Sequence, residues 1–326
     1  MKTTIKDIAK ASGYGVGTVS RVLSNDKSVS DKTRQKILDV IKELDYIPNV
    51  NGARLKQKHS KVIAVLVPVI YHPFFAEFVE ELEKVSMDNN YSLLLVTSQN
   101  NIDKEKEIIN MIKSHRVDGA IFVTHYNHDE NKLKGCPLVS IDRHLGNDIP
   151  LITSDNYDAT MSALEKLFAS GARKIAFIGS KPSVDSEVNL RYQAYVDFVK
   201  KHGLPTLDLF EVVGHGGEKE MVAQFFEKYK DFDAIFASGY SLSVAIYKEL
   251  LNRKMAIPND VQLVSYDGLF FGTEMLTAIQ QPIKEMAIAS FLTLTKLIKG
   301  EEVNKKQIIN TTFIKGETTL WKNQNY

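Results

Sequence analysis

The 326 residues are 44% hydrophobic and 25% charged, which predicts a folded globular chain of two or three domains and excludes a largely disordered one. No apolar run reaches the roughly 18 residues of a membrane span, and the first residues do not resemble an export signal. The single Cys136 excludes an internal disulfide, so we expect a cytoplasmic protein. The net charge is +1, but the charges are unevenly distributed, since residues 1–60 carry 12 Lys and Arg against 6 Asp and Glu. Such a basic segment is typical of nucleic-acid-binding modules and of some solvated surfaces.

Residues 4 to 45 show apolar residues at steps of three and four, which predicts three short helices. Ser30 is placed to cap the third of them. Pro48 opens a polar and basic stretch with little to bury, which predicts a linker. We therefore predict a small all-α domain at 1–47, a hinge at 48–60 and a larger core at 61–326.

The core alternates β-branched strands with amphipathic helices, a pattern that predicts parallel sheets covered on both faces. The predicted strands are Val62–Val67, Ser92–Thr97, Ala120–Thr124, Leu138–Ile141, Lys174–Ile178, Ala234–Ala237 and Gln262–Ser265. Two similar series break near Ser154–Asp158, which predicts two doubly wound lobes with a cleft at the carboxyl ends of their strands. The first lobe should contain about 61–156 and 284–315, and the second about 157–283 and 316–326.

Four small or apolar residues near the amino terminus have the spacing of a helix-turn-helix: Ala9, Gly13, Val19 and Val22. Ala9 is small where two helices would cross, Gly13 can adopt the left-handed conformation of the turn, and the two valines would bury the second helix. An ordinary three-helix bundle is the structural alternative.

The second helix, from about Val16, would lie in the major groove of DNA. The interpretation assigns base-edge contacts to Val16, Gly17 and Arg21, because the Arg21 guanidinium can bond guanine with two hydrogen bonds. Thr18 and Ser20 are expected to contact phosphates.

The strings TIKDIAKASGYGVGTVSRVLS, VSDKTRQKIL and YIPN resemble the amino-terminal signature of the LacI/GalR family of bacterial repressors. The resemblance implies a hinge helix that orders on DNA and inserts Leu55 into the minor groove; a surface leucine is the alternative. It also implies DNA contacts from Thr4, Asn25, Tyr46, Asn49 and Arg54. Gly15 departs from the serine that often begins the family's recognition helix.

The core is similar to type I periplasmic sugar-binding proteins, through HPFFAEFVEELE, VDGAIF, SIDRH, ASGARKIAFIG, VQLVSYDG and QQPIKEMA. The ligand contacts that the resemblance implies are Asp142, Arg191 and Asp267, with Phe74, Phe75, Ser238 and Gln281. Carboxylates and a guanidinium suit adjacent sugar hydroxyls, and an aromatic ring suits a sugar face. Two alternatives stay open, namely a structural ion pair between Asp142 and Arg143, and core packing of both phenylalanines.

The sequence departs from the family at Ser238-Gly239, where many relatives have Asn-Asp, and His215 or Tyr240 could replace those groups. The implied effector is therefore a sugar or sugar phosphate without a defined identity. No cofactor or metal is predicted, because a site at His125-x-x-His128 would require a helix and these residues follow a predicted strand instead.

The resemblance further implies a homodimer, formed through the helix Phe74–Val85, on a pseudo-palindromic operator. No phosphate loop or dinucleotide turn supports an enzyme. A sugar-transport protein is disfavoured by the basic amino terminus, and a regulator that responds to a phosphorylated carrier protein remains an alternative.

Overall fold

The computed structural model describes residues 3–24, 26–46, 59–99, 101–124, 126, 128–212, 216–268 and 276–321. The predictions for Asn25, Asn49, Arg54 and Leu55, and those for His125 and His215, lie outside these residues. The chain divides into two compact units, 1–60 and 61–326. No helix among the described residues is long and apolar enough to cross a membrane.

The first unit, called the head below, contains helices α1 (Ile5–Ser12), α2 (Val16–Leu23) and α3 (Asp31–Glu43). Their apolar faces enclose one small core of buried residues, namely Ile8, Ala9, Val19, Val22 and Ile37. Gly13 ends α1 with a φ of 76° and donates its N–H to the carbonyl of Ala9. The predicted helix-turn-helix is therefore confirmed, as is the cap at Ser30, which accepts a hydrogen bond from the Thr33 N–H.

The first lobe of the core is a parallel sheet in the order β11-β5-β4-β3-β1-β2. Its strands are β1 (Val62–Val67), β2 (Ser92–Thr97), β3 (Gly119–Phe122), β4 (Leu138–Ile141), β5 (Leu151–Ser154) and β11 (Lys306–Ile309). Its helices are α4 (Pro73–Asp88), α5 (Ile102–Lys113), α6 (Glu130–Leu133) and α11 (Ile283–Ile298). Helices α4 and α11 bury one face of the sheet and α5 buries the other, as the sequence pattern predicts.

The second lobe is a sheet in the order β12-β10-β9-β8-β6-β7, in which β12 pairs antiparallel with β10. Its strands are β6 (Ile175–Ser180), β7 (Leu207–Glu211), β8 (Ala234–Ala237), β9 (Gln262–Tyr266), β10 (Thr277–Gln280) and β12 (Thr312–Ile314). Helices α7 (Asn156–Ala169) and α8 (Asn189–His202) cover one face, and α9 (Glu218–Lys228) and α10 (Tyr240–Asn252) cover the other.

Within the part of the core that the structure describes, the chain passes between the lobes three times, after β5, after β10 and after β11. All seven predicted strands are present, within two residues at each end. One predicted boundary needs correction: β12 already belongs to the second sheet, so the last passage falls between Ile309 and Thr312 and not near residue 315. The antiparallel pairing of β12 with β10 fixes this position, because its register places Phe313 opposite Ile279.

Candidate functional site

The exposed face of α2 carries the residues predicted to read DNA. Val16, Gly17, Ser20 and Arg21 are exposed, and Thr18 is half-buried. This division follows from the helical period, because Val19 and Val22 turn towards the head core and leave the opposite face free. The head thus presents a helix with the Arg21 guanidinium, the hydroxyls of Thr18 and Ser20 and a small apolar patch to its surroundings.

Two further predicted DNA contacts lie at the edges of the head. Thr4 is exposed and precedes α1, where its backbone N–H and its hydroxyl both donate to the Asp7 carboxylate, at 2.8 and 2.6 Å. These hydrogen bonds lower the pKa of Asp7 below its usual value. Tyr46 is half-buried and packs against the head core. Thr4 and Tyr46 therefore have structural partners within the head itself.

Arg191 lies at the centre of the polar residues between the two lobes. It is the third residue of α8 and is 4% exposed. Its Nε donates to the Asn156 side chain at 2.6 Å, and its Nη1 donates to the Ser238 carbonyl at 2.7 Å. The guanidinium also lies 3.4 Å from the centre of the Tyr266 ring, so the cation is held by hydrogen bonds and by an aromatic face.

The two predicted carboxylates follow strands of different lobes in the same manner. Asp142 comes directly after β4 and Asp267 directly after β9, with φ values of 57° and 72°. Such left-handed conformations are unusual for residues other than glycine and redirect the chain at the end of a strand. Burial raises the pKa of Asp267, and the opposing charge of Arg191 lowers it.

Hydrogen bonds join these groups into one network with two branches. In the first, Asp142 accepts from the Thr153 hydroxyl at 2.6 Å, and that hydroxyl accepts from the Asn156 amide at 3.1 Å, which leads to Arg191. In the second, the Gln281 amide donates to Asp267 at 2.7 Å. Every predicted polar ligand residue therefore lies in, or directly against, one buried network.

Ser154 connects the second branch to the aromatic residue beneath Arg191. Its hydroxyl lies 3.2 Å from the Gln281 side-chain oxygen and 3.0 Å from the Tyr266 hydroxyl. Ser154 ends a strand of the first lobe and Tyr266 ends a strand of the second. The network consequently spans both lobes.

The two candidate aromatic residues occupy different environments. Phe74 is 5% exposed and stacks on Phe78 in the core of the first lobe. Phe75 is half-buried, with its ring centre 5.1 Å from that of His72. The His72 ring in turn is perpendicular to that of Tyr240 from the second lobe, with ring centres 6.3 Å apart. Among the described residues, His72, Phe75 and Tyr240 therefore form the aromatic group that joins the two lobes.

Asp142 and Arg143 are each engaged with other groups. Arg143 donates to the Ser186 hydroxyl of the second lobe, whereas the Asp142 carboxylate accepts from Thr153. Burial lowers the pKa of Arg143. These contacts give Arg143 a role in joining the lobes.

His128 serves a structural purpose in the first lobe. Its Nε2 contacts the carboxylate of Glu105, which is fully buried and also accepts from the Thr124 hydroxyl. The described residues contain no group of three or more His, Cys, Asp or Glu side chains arranged to hold a metal ion.

Both units of the chain match known protein families. Residues 4–49 match the bacterial regulatory proteins of the lacI family, and residues 60–317 match the periplasmic binding proteins and sugar binding domain of the LacI family. The chain belongs to the LacI family of bacterial regulatory proteins. It is therefore a DNA-binding transcriptional regulator with a sugar-binding type of core.

The relatives of this LacI-family chain include regulators of sugar operons. It is 31% identical to the ribose operon repressor of Halalkalibacterium halodurans over 97% of both chains. It is 29% identical to the sucrose operon repressor of Streptococcus mutans, over 98% of this chain and 100% of that one. These relatives are transcriptional regulators.

Solved structures show the same fold. The lac repressor dimer bound to operator and the anti-inducer ONPF has a TM-score of 0.86 at 22% identity, over 98% of this chain and 100% of that one. A periplasmic binding protein/LacI transcriptional regulator from Alkaliphilus metalliredigens, complexed with D-xylulofuranose, has a TM-score of 0.71 at 27% identity, over 80% and 100%. The architecture predicted from the motifs is confirmed.

Sequence reasoning missed several members of the network in this LacI-family core. Thr153, Ser154 and Asn156 surround the end of β5, and Tyr266 ends β9. Strand β5 was itself not predicted, so its carboxyl end could not be searched for polar residues. Tyr266 adjoins the predicted Asp267, and the rule that ligands meet the carboxyl ends of parallel strands could have found it.

Proposed function

We propose that this regulator represses genes of carbohydrate use, and that a small sugar or sugar phosphate bound between the core lobes changes its affinity for a pseudo-palindromic operator. The observation that carries the proposal is the buried network around Arg191. Both lobes contribute to it, so a ligand that exchanges hydrogen bonds with this network favours one arrangement of the lobes over another. Regulation then requires only that the two arrangements differ in operator affinity.

The effector's chemistry follows from the network. Asp142 and Asp267 can each accept hydrogen bonds from hydroxyls, and Arg191 can donate to oxygen atoms. Phe75, His72 and Tyr240 offer aromatic surface for a sugar ring. The ligand must replace hydrogen bonds that the residues now make with one another, so selectivity should depend on how well its hydroxyls satisfy them.

The DNA-binding part of the proposal assigns base contacts to Val16, Gly17 and Arg21, and backbone contacts to Thr18 and Ser20. The exposure of this face of α2 supports the assignment. We further propose that the active form is a homodimer in which α4 contributes to the interface, because two heads must be presented at matched spacing to a two-fold site.

Fluorescence anisotropy with genomic DNA fragments tests the DNA contacts. Arg21→Ala should lower the ratio of specific to nonspecific binding about ten-fold or more, because a guanine contact is lost, while salt-dependent nonspecific binding persists. Lys42→Ala removes the same charge from an exposed position on α3 and should preserve the ratio. Equal loss of specific and nonspecific binding in Arg21→Ala would argue against base reading.

Calorimetry with the full chain tests the effector. A panel of ribose, sucrose, cellobiose and hexose phosphates should contain a binder whose heat disappears in Arg191→Lys, because a lysine has one nitrogen in place of the two with which Arg191 donates to Asn156 and Ser238 and lacks the planar guanidinium. Binding of a phosphorylated carrier protein, with no response to any sugar, would instead favour the regulator class controlled by a protein partner.

A further inference from the structure

We propose that Glu187, His144 and Lys306 form a cross-lobe clamp that positions the two lobes and sets the fraction of molecules in which the cleft is closed. Glu187 belongs to the second lobe, at the approach to α8. His144 follows β4 of the first lobe, and Lys306 lies in β11 of the same lobe. The clamp extends the proposed function, on which its regulatory meaning rests, because an effector between the lobes would act on the same equilibrium.

The geometry of the clamp is that of a carboxylate shared by two donors. One oxygen of Glu187 lies 2.8 Å from Nε2 of His144, and the other lies 2.7 Å from Nζ of Lys306. The Glu187 side chain is 7% exposed, whereas those of His144 and Lys306 are 42% and 43% exposed. A carboxylate so far removed from water depends on its partners, and both of these come from the other lobe.

Backbone contacts hold the same two segments together. The Glu187 N–H and the Ser186 hydroxyl both donate to the Asp142 carbonyl, each at 2.9 Å. The His144 N–H donates to the Asp185 carbonyl at 3.1 Å, and Arg143 pairs with Ser186 as an isolated antiparallel bridge. The side chains of the clamp thus secure a short strand-like junction between the lobes.

The junction connects the lobes in addition to the three passages of the chain. The passages are covalent and persist in every arrangement of the lobes, whereas the junction breaks when the segments around Asp142 and Glu187 separate. Arg191 lies four residues after Glu187, and the Asp142 carbonyl is itself a member of the junction. A ligand that forms hydrogen bonds with Asp142 and Arg191 would therefore act directly on the segments that make the junction.

The clamp differs in kind from the other ion pairs of this region. Lys305, next to Lys306, pairs with Asp148 at 3.4 Å, and these side chains are 72% and 91% exposed within one lobe. Such an exposed pair contributes little and joins nothing across the cleft. Lys305 therefore provides a control with the same charge and nearly the same position in the chain.

Distance measurement by electron paramagnetic resonance tests the clamp without operator or effector. Nitroxides at Asn110 of α5 and Gln224 of α9, in a Cys136→Ser background diluted with unlabelled protein, report the separation of the lobes. The fraction of molecules in which the lobes have moved apart should appear as a second nitroxide–nitroxide distance. Glu187→Gln should raise this fraction roughly ten-fold, which corresponds to about 1.4 kcal/mol. Lys306→Gln should raise it less, because His144 still contacts Glu187, and the double variant should add little to Glu187→Gln, which already removes the contact with Lys306.

Three further outcomes complete the test. Lys305→Gln should keep the parent distribution, and the paired exchange of Glu187→Lys with Lys306→Glu should restore it at least in part, which a merely misfolded variant would not do. Raising the salt from about 0.05 to about 1 M should move the parent towards Glu187→Gln. Unchanged distances in both single variants, additive effects in the double, or an equal shift in Lys305→Gln would overturn the clamp. Since neither DNA nor sugar is present, this result is independent of whether the proposed effector and operator contacts are correct.

Discussion

The head and the core hold their predicted functional residues in opposite ways. In the head, Gly17 and Arg21 are exposed on one face of α2, and Val19 on the opposite face packs in the core of the head. In the core, Asp142 and Arg191 are buried and bound into the surrounding structure. Substitutions at the exposed residues of α2 should therefore leave the fold of the head intact, whereas substitutions at the buried polar residues of the core should lower its stability.

The difference follows from how each unit makes a surface. A short amphipathic helix needs only one apolar stripe for packing, so its other face is available to a partner as wide as DNA. A cleft for a small molecule must surround its ligand, and polar groups in such a place need partners when the ligand is absent. The core supplies those partners from Thr153, Asn156 and Gln281.

The largest effect is expected for Arg191→Ala. Removal of the guanidinium leaves Asn156 and the Ser238 carbonyl without their donor, so the free energy of unfolding of the core should fall by about 3 kcal/mol. Urea denaturation followed by the fluorescence of the single tryptophan, Trp321 in the core, measures it. Arg21→Ala in the head should leave this core transition unchanged.

Arg253→Ala is the matched control within the core. Arg253 forms a salt bridge with Glu249 one helical turn away, and its side chain is 38% exposed, so its loss should lower the free energy by less than about 1 kcal/mol. A loss of that small size in Arg191→Ala would mean that the buried network does not couple binding to stability.

The same contrast explains how far the sequence predicts the fold. Strands such as Val62–Val67 are uninterrupted apolar runs because both of their faces are covered, and the pattern reveals them directly. The missed strands are short or lie at a sheet edge. β7 is an edge strand that mixes polar and apolar residues, and β11 alternates exposed with half-buried positions. Pairing in three dimensions, and not local pattern, defines these elements.

The candidate site was predictable in its charged members but not in their connections. The resemblance of the core to periplasmic sugar-binding proteins implies Asp142, Asp267 and Arg191, and their places after a predicted strand or early in a predicted helix suit that role. Ser154 and Tyr266 come from strands of different lobes, and only the folded chain brings their hydroxyls within 3.0 Å. The distinction between Phe74 and Phe75 likewise depends on the rotation of α4, which an adjacent pair of phenylalanines does not reveal.

A second prediction sharpens the comparison through pH. Burial, with the neighbouring carboxylates of Glu81 and Glu80, raises the pKa of Glu77 on α4 to about 7. The native core therefore holds a proton that the unfolded chain releases near pH 4.5, so stability is present below that value and is lost as the pH rises through 7. Between about pH 5 and pH 8 the parent should lose about 1 kcal/mol more than Glu77→Gln, a figure reduced because Glu77 is partly exposed to solvent.

The head should show the opposite sign over a different range. The pKa of Asp7 is lowered by its hydrogen bonds to Thr4, so its contribution is present at neutral pH and is lost only in acid. Urea transitions at several pH values test the core, and hydrogen exchange of head peptides in the full chain tests the head. Parallel slopes in the parent and Glu77→Gln would exclude the assignment of the core slope to Glu77.

The smallest predicted effect separates stability from recognition within α2. A methyl group at Gly17 would meet no atom within 4 Å apart from the backbone of its own helix and the adjacent residues, and alanine loses less conformational entropy than glycine in a helix. Gly17→Ala should therefore stabilise α2 by about 0.5 kcal/mol, which slower hydrogen exchange in the full chain would show. The same variant should weaken operator binding if this exposed position approaches the bases.

Gly13→Ala is the control. It too adds a methyl group in open space, but at a φ of 76°, so it should destabilise the head by about 1 kcal/mol. Faster hydrogen exchange in both variants would mean that both glycines are required by the backbone conformation of the head, and that the exposed face of α2 cannot be altered without a loss of stability.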